Sequence, residues 1–286
     1  MADNTGIEWA DSTINLWIGC TEISPACDNC YARALATRAG KAWGVTWNAP
    51  PVRTKEASWG KIALYQRTAA KFIAAHGRPR RVFINSLSDF FDNQAEDEWR
   101  WAACARMEAA PDVIFILVTK RPQLVSRMVP GHWMKRDGWP SNVWMLTTAE
   151  NQTEYDRRVP WLLTLPAAVL GVSMEPLLEI IGPYHSISAS PHERAAWVNT
   201  RLKGKLVVQP DDVGRLSWVI VGGESGAKAR VMPSLWDLSG MIGQLAASRV
   251  AVFVKQLSQR EYPTTFKDRA TFPRGLKRAE HPYHAN

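Results

Sequence analysis

Residues 113–122 of the chain read VIFILVTKRP. An unbroken run of apolar residues, most of them β-branched, is followed by a polar stretch. A strand that faces solvent on one side alternates apolar and polar residues, whereas a strand buried on both faces does not. The stretch therefore predicts an internal strand of a parallel sheet, with polar residues at its carboxyl end.

Runs of the same kind recur along the chain, and helical patterns separate them. Regular alternation of strands and helices predicts an α/β fold with a parallel sheet. The pattern alone does not distinguish an open sheet from a barrel. The predicted strands are 82–85, 113–118, 143–146, 168–172, 218–221 and 250–254, and the predicted helices are 31–39, 96–110, 153–165 and 234–248.

Polar residues follow each predicted strand. The carboxyl ends of parallel strands face one side of the sheet, and binding sites are commonly built there. We therefore expect several of these residues to line a functional site. Lys120 and Arg121, which follow the strand at 113–118, are candidates for binding a phosphate or carboxylate group.

Three cysteines stand close together in residues 19–32, which read GCTEISPACDNCYA. The predicted helix after Cys30 favours a thiolate there, because helix N-termini stabilise negative charge. A disulfide would leave one cysteine unpaired, and structural zinc normally needs a fourth ligand. A 4Fe–4S cluster bound by Cys20, Cys27 and Cys30 would leave one iron open for chemistry. The cluster is favoured, and zinc remains the alternative.

The composition narrows the function classes further. The formal net charge is +8, which favours polyanionic partners such as nucleic acid. No apolar run is long enough to predict a membrane span, and no secretory leader is evident, so a cytoplasmic location is expected. The isolated Cys104 lies in a helical pattern and is predicted to be a buried structural thiol.

Taken together, the cysteine loop and the strand ends resemble a phage-associated family, a domain of unknown function with a three-cysteine motif similar to that of radical S-adenosylmethionine enzymes. The resemblance implies a partial (βα)6 TIM-like barrel with the cluster loop after the first strand. The resemblance extends to about residue 257, so we expect a domain at 1–257 and a basic tail at 258–286. Within the domain, residues 185–215 interrupt the alternation of strands and helices, which predicts an insertion on the barrel rim. The matching stretches are 7–9, 19–32, 85–89, 117–122, 150–152, 173–177, 218–226 and 253–256.

The resemblance further implies a radical enzyme that uses a 4Fe–4S cluster and S-adenosyl-L-methionine. Its expected substrate is phage DNA, and its expected reaction is the isomerisation of glycine-decorated thymine from an N-linked to a C-linked form. A host flavodoxin-type reductant would supply electrons. The alternative is a zinc-stabilised, non-enzymatic nucleic-acid-binding protein. The expected contacts of the cofactor S-adenosylmethionine are Asn85, Ser86, Ser88, Asp89, Glu150, Glu175, Gly222, Gly223 and Glu224.

Overall fold

The computed structural model of the chain describes residues 5–39, 42–182, 190–224, 229–259, 262–266, 272 and 276–282. Within these ranges the strands are β1 (Ser12–Ile14), β2 (Trp17–Ile18), β3 (Val52–Arg53), β4 (Arg80–Ile84), β5 (Val113–Thr119), β6 (Val143–Thr148), β7 (Leu170–Met174), β8 (Leu216–Gly222), β9 (Ala251–Gln259) and β10 (Tyr262–Phe266). The α-helices are α1 (Tyr31–Ala39), α2 (Glu56–Arg67), α3 (Ala69–His76), α4 (Asp97–Glu108), α5 (Pro122–Met128), α6 (Gln152–Leu162), α7 (Pro191–Leu202) and α8 (Leu235–Ala247).

The principal sheet has the strand order β1-β4-β5-β6-β7-β8-β9-β10, and β2 pairs separately with β3. The pairs β1–β4, β4–β5, β7–β8 and β8–β9 are parallel, whereas β10 runs antiparallel to β9. From β4 to β9, each strand lies beside the preceding one and a helix connects the two. This is the order of a partial TIM-like barrel, so the predicted fold class is confirmed.

The apolar runs predicted six strands correctly in kind, and the structure extends several of them. β5 is buried at every position except Val118, as expected for a strand covered on both faces. The sequence did not reveal β1, because Ser12-Thr13-Ile14 is short and partly polar. These three residues are nevertheless buried and pair with β4, which adds a seventh parallel strand. The cysteine loop follows β1 and β2, as predicted.

Capping side chains determine where several helices begin. The Asn151 side chain accepts a hydrogen bond from the Glu154 N–H at 2.8 Å at the start of α6. Ser234 accepts from the Asp237 N–H at 3.2 Å at the start of α8. Such caps bind N–H groups that the first helical turn leaves without intrahelical partners. The predicted helix at 31–39 is observed at those positions, and Gly40 lies outside the described residues.

Packing divides the chain into two compact units, and the division falls within β6. The first unit contains residues 1–145 and 166–168, and its core includes Phe115 and Ile116 of β5. The second contains residues 146–165 and 169–286, and its core includes Val172 and Ile220 of β7 and β8. None of the described helices combines the length and apolar character needed to span a bilayer.

Two parts of the predicted domain layout extend beyond the described residues. Residues 183–189 are outside the described residues, so the predicted rim insertion at 185–215 is represented by α7 and the segment after it. In the predicted tail, β9 continues to Gln259, and the Val254 N–H donates to the Arg278 carbonyl at 2.9 Å. The described part of the tail therefore adds to the sheet edge of the second unit. The domain boundary at residue 257 stays a prediction.

Candidate functional site

The cysteine loop joins β2 to the segment that leads into α1. A 3₁₀ turn at Pro25–Cys27 forms its middle, and proline suits the first position of such a turn because its φ is already fixed. The Cys30 N–H donates to the Cys27 carbonyl at 3.2 Å, and Cys30 directly precedes α1. Cys27 is buried, while Cys20 and Cys30 are half-buried. The loop is thus locally ordered and leaves two of its thiols partly accessible.

Thr21 attaches the loop to the ends of β4 and β5. Its N–H donates to Asp92 Oδ2 at 2.7 Å, and its hydroxyl accepts from Gln94 Nε2 at 2.7 Å. Its carbonyl accepts from Arg121 Nη2 at 2.8 Å. Every polar group of the residue that follows Cys20 is therefore bound to a side chain from elsewhere in the first unit.

Asn48 binds the loop from a different segment of the first unit. Its N–H donates to the Cys20 carbonyl at 3.1 Å, and its side-chain oxygen accepts from the Glu22 N–H at 2.8 Å. Glu22 is also ion-paired with Arg33 of α1. The loop backbone around Cys20 is consequently held by hydrogen bonds on both sides.

Lys120, which follows β5, is influenced by all three cysteines of the loop. Burial acts to lower the pKa of its ammonium group, yet the net shift is upward because charge interactions with neighbouring groups outweigh burial. These groups, in order of their effect, are Cys27, Cys20, Cys30 and Asp89. The charged form of Lys120 is thus favoured by the cysteine loop and by the end of β4.

Burial and a nearby carboxylate affect the first thiol. Burial raises the pKa of Cys20 to about 12, and Asp89 adds to the increase, although Arg121 and Lys120 oppose it. The thiol of Cys104 is fully buried within α4, and burial raises its pKa to about 12 as well. Cys104 matches the predicted structural thiol, because it is a buried residue of α4 and does not lie on the cysteine loop.

The fit of the loop to an iron–sulfur cluster rests on its donor set. Three thiols on one ordered loop beside one lysine supply the ligand type that such clusters require. Within the described ranges, no three or more His, Cys, Asp and Glu side chains are grouped closely enough to form a ready metal site. The residues therefore fit a cluster in ligand chemistry, whereas the described structure does not bring the three thiols together as a ligand set.

The predicted contacts that follow β4 bind the segment between β1 and β2. Asn85, which has a positive φ of 63°, accepts from the Leu16 N–H at 2.8 Å through its side-chain oxygen. Its amide Nδ2 is buried and has no hydrogen-bond partner among the described residues. The Ser86 hydroxyl contacts the Asn15 side chain at 3.2 Å, and the Ser88 hydroxyl donates to the Trp17 carbonyl at 3.1 Å. Asn85 is thus the residue of this group with spare donor capacity.

Asp89 is buried in a dense set of hydrogen bonds. Its Oδ1 accepts from the Thr119 hydroxyl at 2.6 Å and from the Phe91 N–H at 2.9 Å. Its Oδ2 accepts from Arg121 Nη1 at 3.0 Å and from the Lys120 N–H at 2.9 Å. Both carboxylate oxygens are therefore occupied by groups of this chain, and any contact with the cofactor remains a prediction.

Glu150, in the second unit, has a comparable environment. Its carboxylate is fully buried and pairs with Arg158 Nη1 at 3.0 Å. Arg158 Nη1 also donates to the Thr148 carbonyl at 2.9 Å, and Nη2 lies 2.8 Å from Glu154 Oε2 in an ion pair. A charge as deeply buried as Arg158 persists because carboxylates and carbonyls surround it. Arg158 thus connects the end of β6 to the body of α6.

Two further predicted glutamates pair with cations at the ends of β7 and β8. Glu175 forms an ion pair with Lys255 of β9. Glu224 accepts from Arg230 Nε at 2.9 Å and from the Arg230 N–H at 2.7 Å. The Arg230 side chain is about one third exposed, so this pair reaches solvent. The cationic partners of these two glutamates are more exposed than the arginines that bind Asp89 and Glu150.

The two predicted glycines lie beside these pairs. A Cβ atom at Gly222 would stand 3.3 Å from Glu175 Cγ, closer than side chains normally pack. Gly223 is bound through its N–H to the Gln256 carbonyl at 3.0 Å, and its carbonyl accepts from the Gln256 side chain. The absence of a side chain at residue 222 therefore lets the end of β8 approach Glu175 closely.

Sequence reasoning did not identify the cations that bind the predicted carboxylates. Arg158 lies inside a helical pattern and carries no local signal, and Arg230 stands four residues beyond the predicted glycine-rich stretch. Arg121 was predicted to bind an anion, and the carboxylates it binds, those of Asp89 and Asp92, belong to this chain. The pairs join residues from six to 80 positions apart, with no common spacing that the sequence could reveal.

The stretch 201–205 carries three basic residues, Arg201, Lys203 and Lys205. Arg201 pairs with Asp156 at 3.0 Å and stacks on Trp197, with its guanidinium carbon 4.3 Å from the ring centre. Lys203 ends α7 in a left-handed conformation, and Lys205 is exposed. The two lysines therefore remain accessible, while Arg201 is engaged within the second unit.

The fold and the site together define an α/β protein of parallel strands with a three-cysteine loop after the first of them. The chain belongs to the family described as "Protein of unknown function (DUF5131)", whose family model matches residues 4–278. A search of curated proteins gives no match.

Among solved structures, the chain is similar to two of spore photoproduct lyase. One is a double mutant with bound AdoMet and dinucleoside spore photoproduct, at 12% identity and a TM-score of 0.41, with 84% of this chain and 62% of that chain covered. The other is a single mutant, at 13% identity and a TM-score of 0.45, with 86% and 76% covered. The chain thus spans less than two thirds of the first of these proteins.

Proposed function

We propose that this protein is a radical S-adenosylmethionine enzyme whose 4Fe–4S cluster is held by Cys20, Cys27 and Cys30. The observation that carries the proposal is that three cysteines lie on one hydrogen-bonded loop and all influence the pKa of Lys120, at the end of β5. When bound, such a cluster would leave one iron open for S-adenosylmethionine. It would also supply the electron that cleaves the sulfonium of S-adenosylmethionine, which gives a 5′-deoxyadenosyl radical.

The predicted site residues would act in two ways, either by contacting S-adenosylmethionine or by holding the strand ends in place. Asn85 would donate its unpartnered amide Nδ2 to the methionyl carboxylate, with Ser86 and Ser88 beside it. Glu175 and Glu224 would accept from the methionyl ammonium or the ribose hydroxyls, and Gly222 and Gly223 would allow the adenosyl group to approach. Asp89 and Glu150, both ion-paired by buried arginines, would act by fixing the strand ends.

The proposed substrate is DNA with a modified thymine. The formal charge of +8 favours a polyanion, and exposed Lys203 and Lys205 offer phosphate contacts. The proposed reaction is isomerisation of a glycine substituent on thymine from an N-linked to a C-linked form, which conserves mass. A flavodoxin-type reductant in the cytoplasm would supply the electron. If phosphate contacts dominate, DNA affinity falls steeply between low and physiological salt, which a titration at several salt concentrations measures.

The proposal is tested by anaerobic reconstitution followed by metal and product analysis. We expect about four irons with matching sulfide per chain, and 5′-deoxyadenosine after reduction with S-adenosylmethionine. Stoichiometric zinc without sulfide would instead support the alternative, a zinc-stabilised nucleic-acid-binding protein. A full cluster that never yields 5′-deoxyadenosine would refute the radical mechanism.

The reaction class is tested separately with DNA that carries glycine-decorated thymine. A product of unchanged mass and altered chromatographic mobility supports isomerisation. A product of different mass would retain the radical mechanism and reject the isomerase assignment.

A further inference from the structure

Arg121 occupies a position that the proposed function does not explain. The side chain is 5% exposed, and its guanidinium reaches three acceptors on two other segments of the first unit. Nη1 bonds Asp89 Oδ2 at 3.0 Å, Nη2 bonds the Thr21 carbonyl at 2.8 Å, and Nη2 also lies 3.3 Å from Asp92 Oδ2. A planar guanidinium can donate hydrogen bonds to several acceptors at once. An ammonium group on a flexible stem cannot do so in the same geometry.

The backbone polar groups that follow the Cα of Cys20 are held by hydrogen bonds. The Cys20 carbonyl and the Thr21 N–H belong to one planar peptide unit, and the first accepts from Asn48 while the second donates to Asp92. The next carbonyl, that of Thr21, accepts from Arg121. Three consecutive backbone polar groups are therefore fixed, and this leaves the Cα of Cys20 little freedom.

Burial makes these bonds persistent. Asp92 is 1% exposed and Asp89 is 6% exposed, so water competes poorly for either carboxylate. Asp92 links the two halves of the arrangement, because it binds both the Thr21 N–H and the Arg121 guanidinium. Loss of the guanidinium would release the Thr21 carbonyl and leave two carboxylates to repel each other.

We propose that Arg121 is a positioning residue that clamps the cysteine loop at Thr21 and so fixes where Cys20 presents its thiol. Arg121 acts through the loop backbone and touches no reacting atom. The proposal deepens the proposed function of the same site, but its first test needs neither metal nor cofactor.

The test measures how fast each cysteine of the metal-free full-length protein is alkylated under native conditions, by peptide mass spectrometry. Arg121→Lys preserves the positive charge while removing the forked contact. We expect the labelling rate of Cys20 to rise about tenfold, as local opening becomes easier. Buried Cys104 should stay protected. The matched control is Arg100→Lys, since Arg100 is equally buried but bonds only Asp97 and the Ala95 carbonyl among the contacts described.

An unchanged Cys20 rate in Arg121→Lys would overturn the proposal. Parallel acceleration of Cys104 would also overturn it, because the effect would then be general loosening. If Arg121→Lys does not fold, Asp92→Asn carries the test with the same criteria and a smaller expected increase.

A second readout uses reconstituted protein. Arg121→Lys should retain its iron but alter the electron paramagnetic resonance line shape of the reduced cluster, whereas Arg100→Lys should match the parent protein. An unaltered line shape at full iron content would count against the clamp. If the parent protein binds no iron, the proposed function fails while the alkylation result still decides the role of Arg121.

Discussion

The carboxylates at the strand ends are ion-paired in both units, but the pairs differ in their access to solvent. In the first unit, the side chains of Asp89 and Arg121 are 7% and 5% exposed. In the second unit, Glu224 is similarly buried, but its partner Arg230 is 33% exposed. A fully buried pair cannot exchange partners without leaving a buried charge uncompensated, whereas a pair that reaches water can release its carboxylate to a ligand.

The four carboxylates that the sequence predicted as cofactor contacts therefore fall into two groups, according to the solvent exposure of their ion pairs. Asp89 and Glu150 belong with the buried pairs, and we expect their loss to be felt mainly in the free energy of unfolding. Glu175 and Glu224 belong with the accessible pairs, and we expect their loss to be felt mainly in cofactor binding. The predictions below follow that order, beginning with the cysteine loop itself.

The largest effect is expected from Cys27→Ala. Removing one of three thiolate ligands should abolish the cluster, so the iron content should fall from about four per chain to nearly none. Cys104→Ala is the matched control, because it makes the same chemical change at a cysteine buried in α4. Iron analysis after reconstitution measures both variants. Equal iron loss in the two variants would mean that the loop has no special role.

The next effect concerns the buried pair of the first unit. Asp89→Ala should lower the free energy of unfolding by about 3–5 kcal/mol, since Arg121 loses a partner in a buried site. Urea unfolding followed by circular dichroism measures the change. Glu224→Ala serves as the comparison and should cost less, because Arg230 can turn to solvent. A smaller loss for Asp89→Ala than for Glu224→Ala would reverse the distinction drawn between the two units.

The sequence supported the fold because apolar runs report burial directly. VIFILV at 113–118 identified β5, and its polar end identified the region that approaches the cysteines. The cysteine spacing likewise identified a loop whose three cysteines all influence the pKa of Lys120. Both signals are local, so they survive in a single sequence.

The features of the fold and the site that the sequence did not predict depend on contacts between distant segments. Ser12-Thr13-Ile14 forms a strand only because β4 lies beside it. Arg121 reaches Thr21, which is one hundred positions away, and no pattern around either residue encodes that bond. The polar residues at strand ends were recognisable, but whether each one meets a ligand or an arginine is decided by tertiary packing.

A further ion pair lies at the amino ends of the strands, where no ligand is expected. It therefore serves as a reference for the stability of a structural ion pair. Asp11, which precedes β1, forms a two-bond contact with Arg78 and accepts from the Arg81 N–H at 2.8 Å. Burial acts to raise the pKa of Asp11, but these hydrogen bonds and charges outweigh it and lower the pKa from 3.8 to about 2. At about 1.4 kcal/mol per unit, the shift corresponds to roughly 2 kcal/mol of stability at neutral pH.

Because the folded-state pKa of Asp11 is the lower one, its contribution is complete above about pH 4 and disappears as the pH falls through about 2. Asp11→Asn should therefore be less stable than the parent protein by roughly 2 kcal/mol at pH 7, and the difference should shrink towards pH 2. Unfolding curves at several pH values measure it. A difference that does not depend on pH would show that the carboxylate charge is not the source.

The smallest change in stability is expected at the accessible pairs of the second unit. Glu175→Gln and Glu224→Gln keep the side-chain size and remove the charge, and we expect each to cost about 1 kcal/mol or less, as for partly exposed ion pairs. Asp156→Asn is the control, because Asp156 pairs with half-exposed Arg201 between α6 and α7, away from the strand ends. If the glutamates bind S-adenosylmethionine, their variants should form 5′-deoxyadenosine more slowly at equal iron content, and the control should not. Slower cleavage with a raised KM for S-adenosylmethionine would place the carboxylates at the cofactor. Unchanged cleavage in both glutamate variants would leave Glu175 and Glu224 as structural ion pairs, like Asp89 and Glu150, and would erase the distinction between accessible and buried carboxylates.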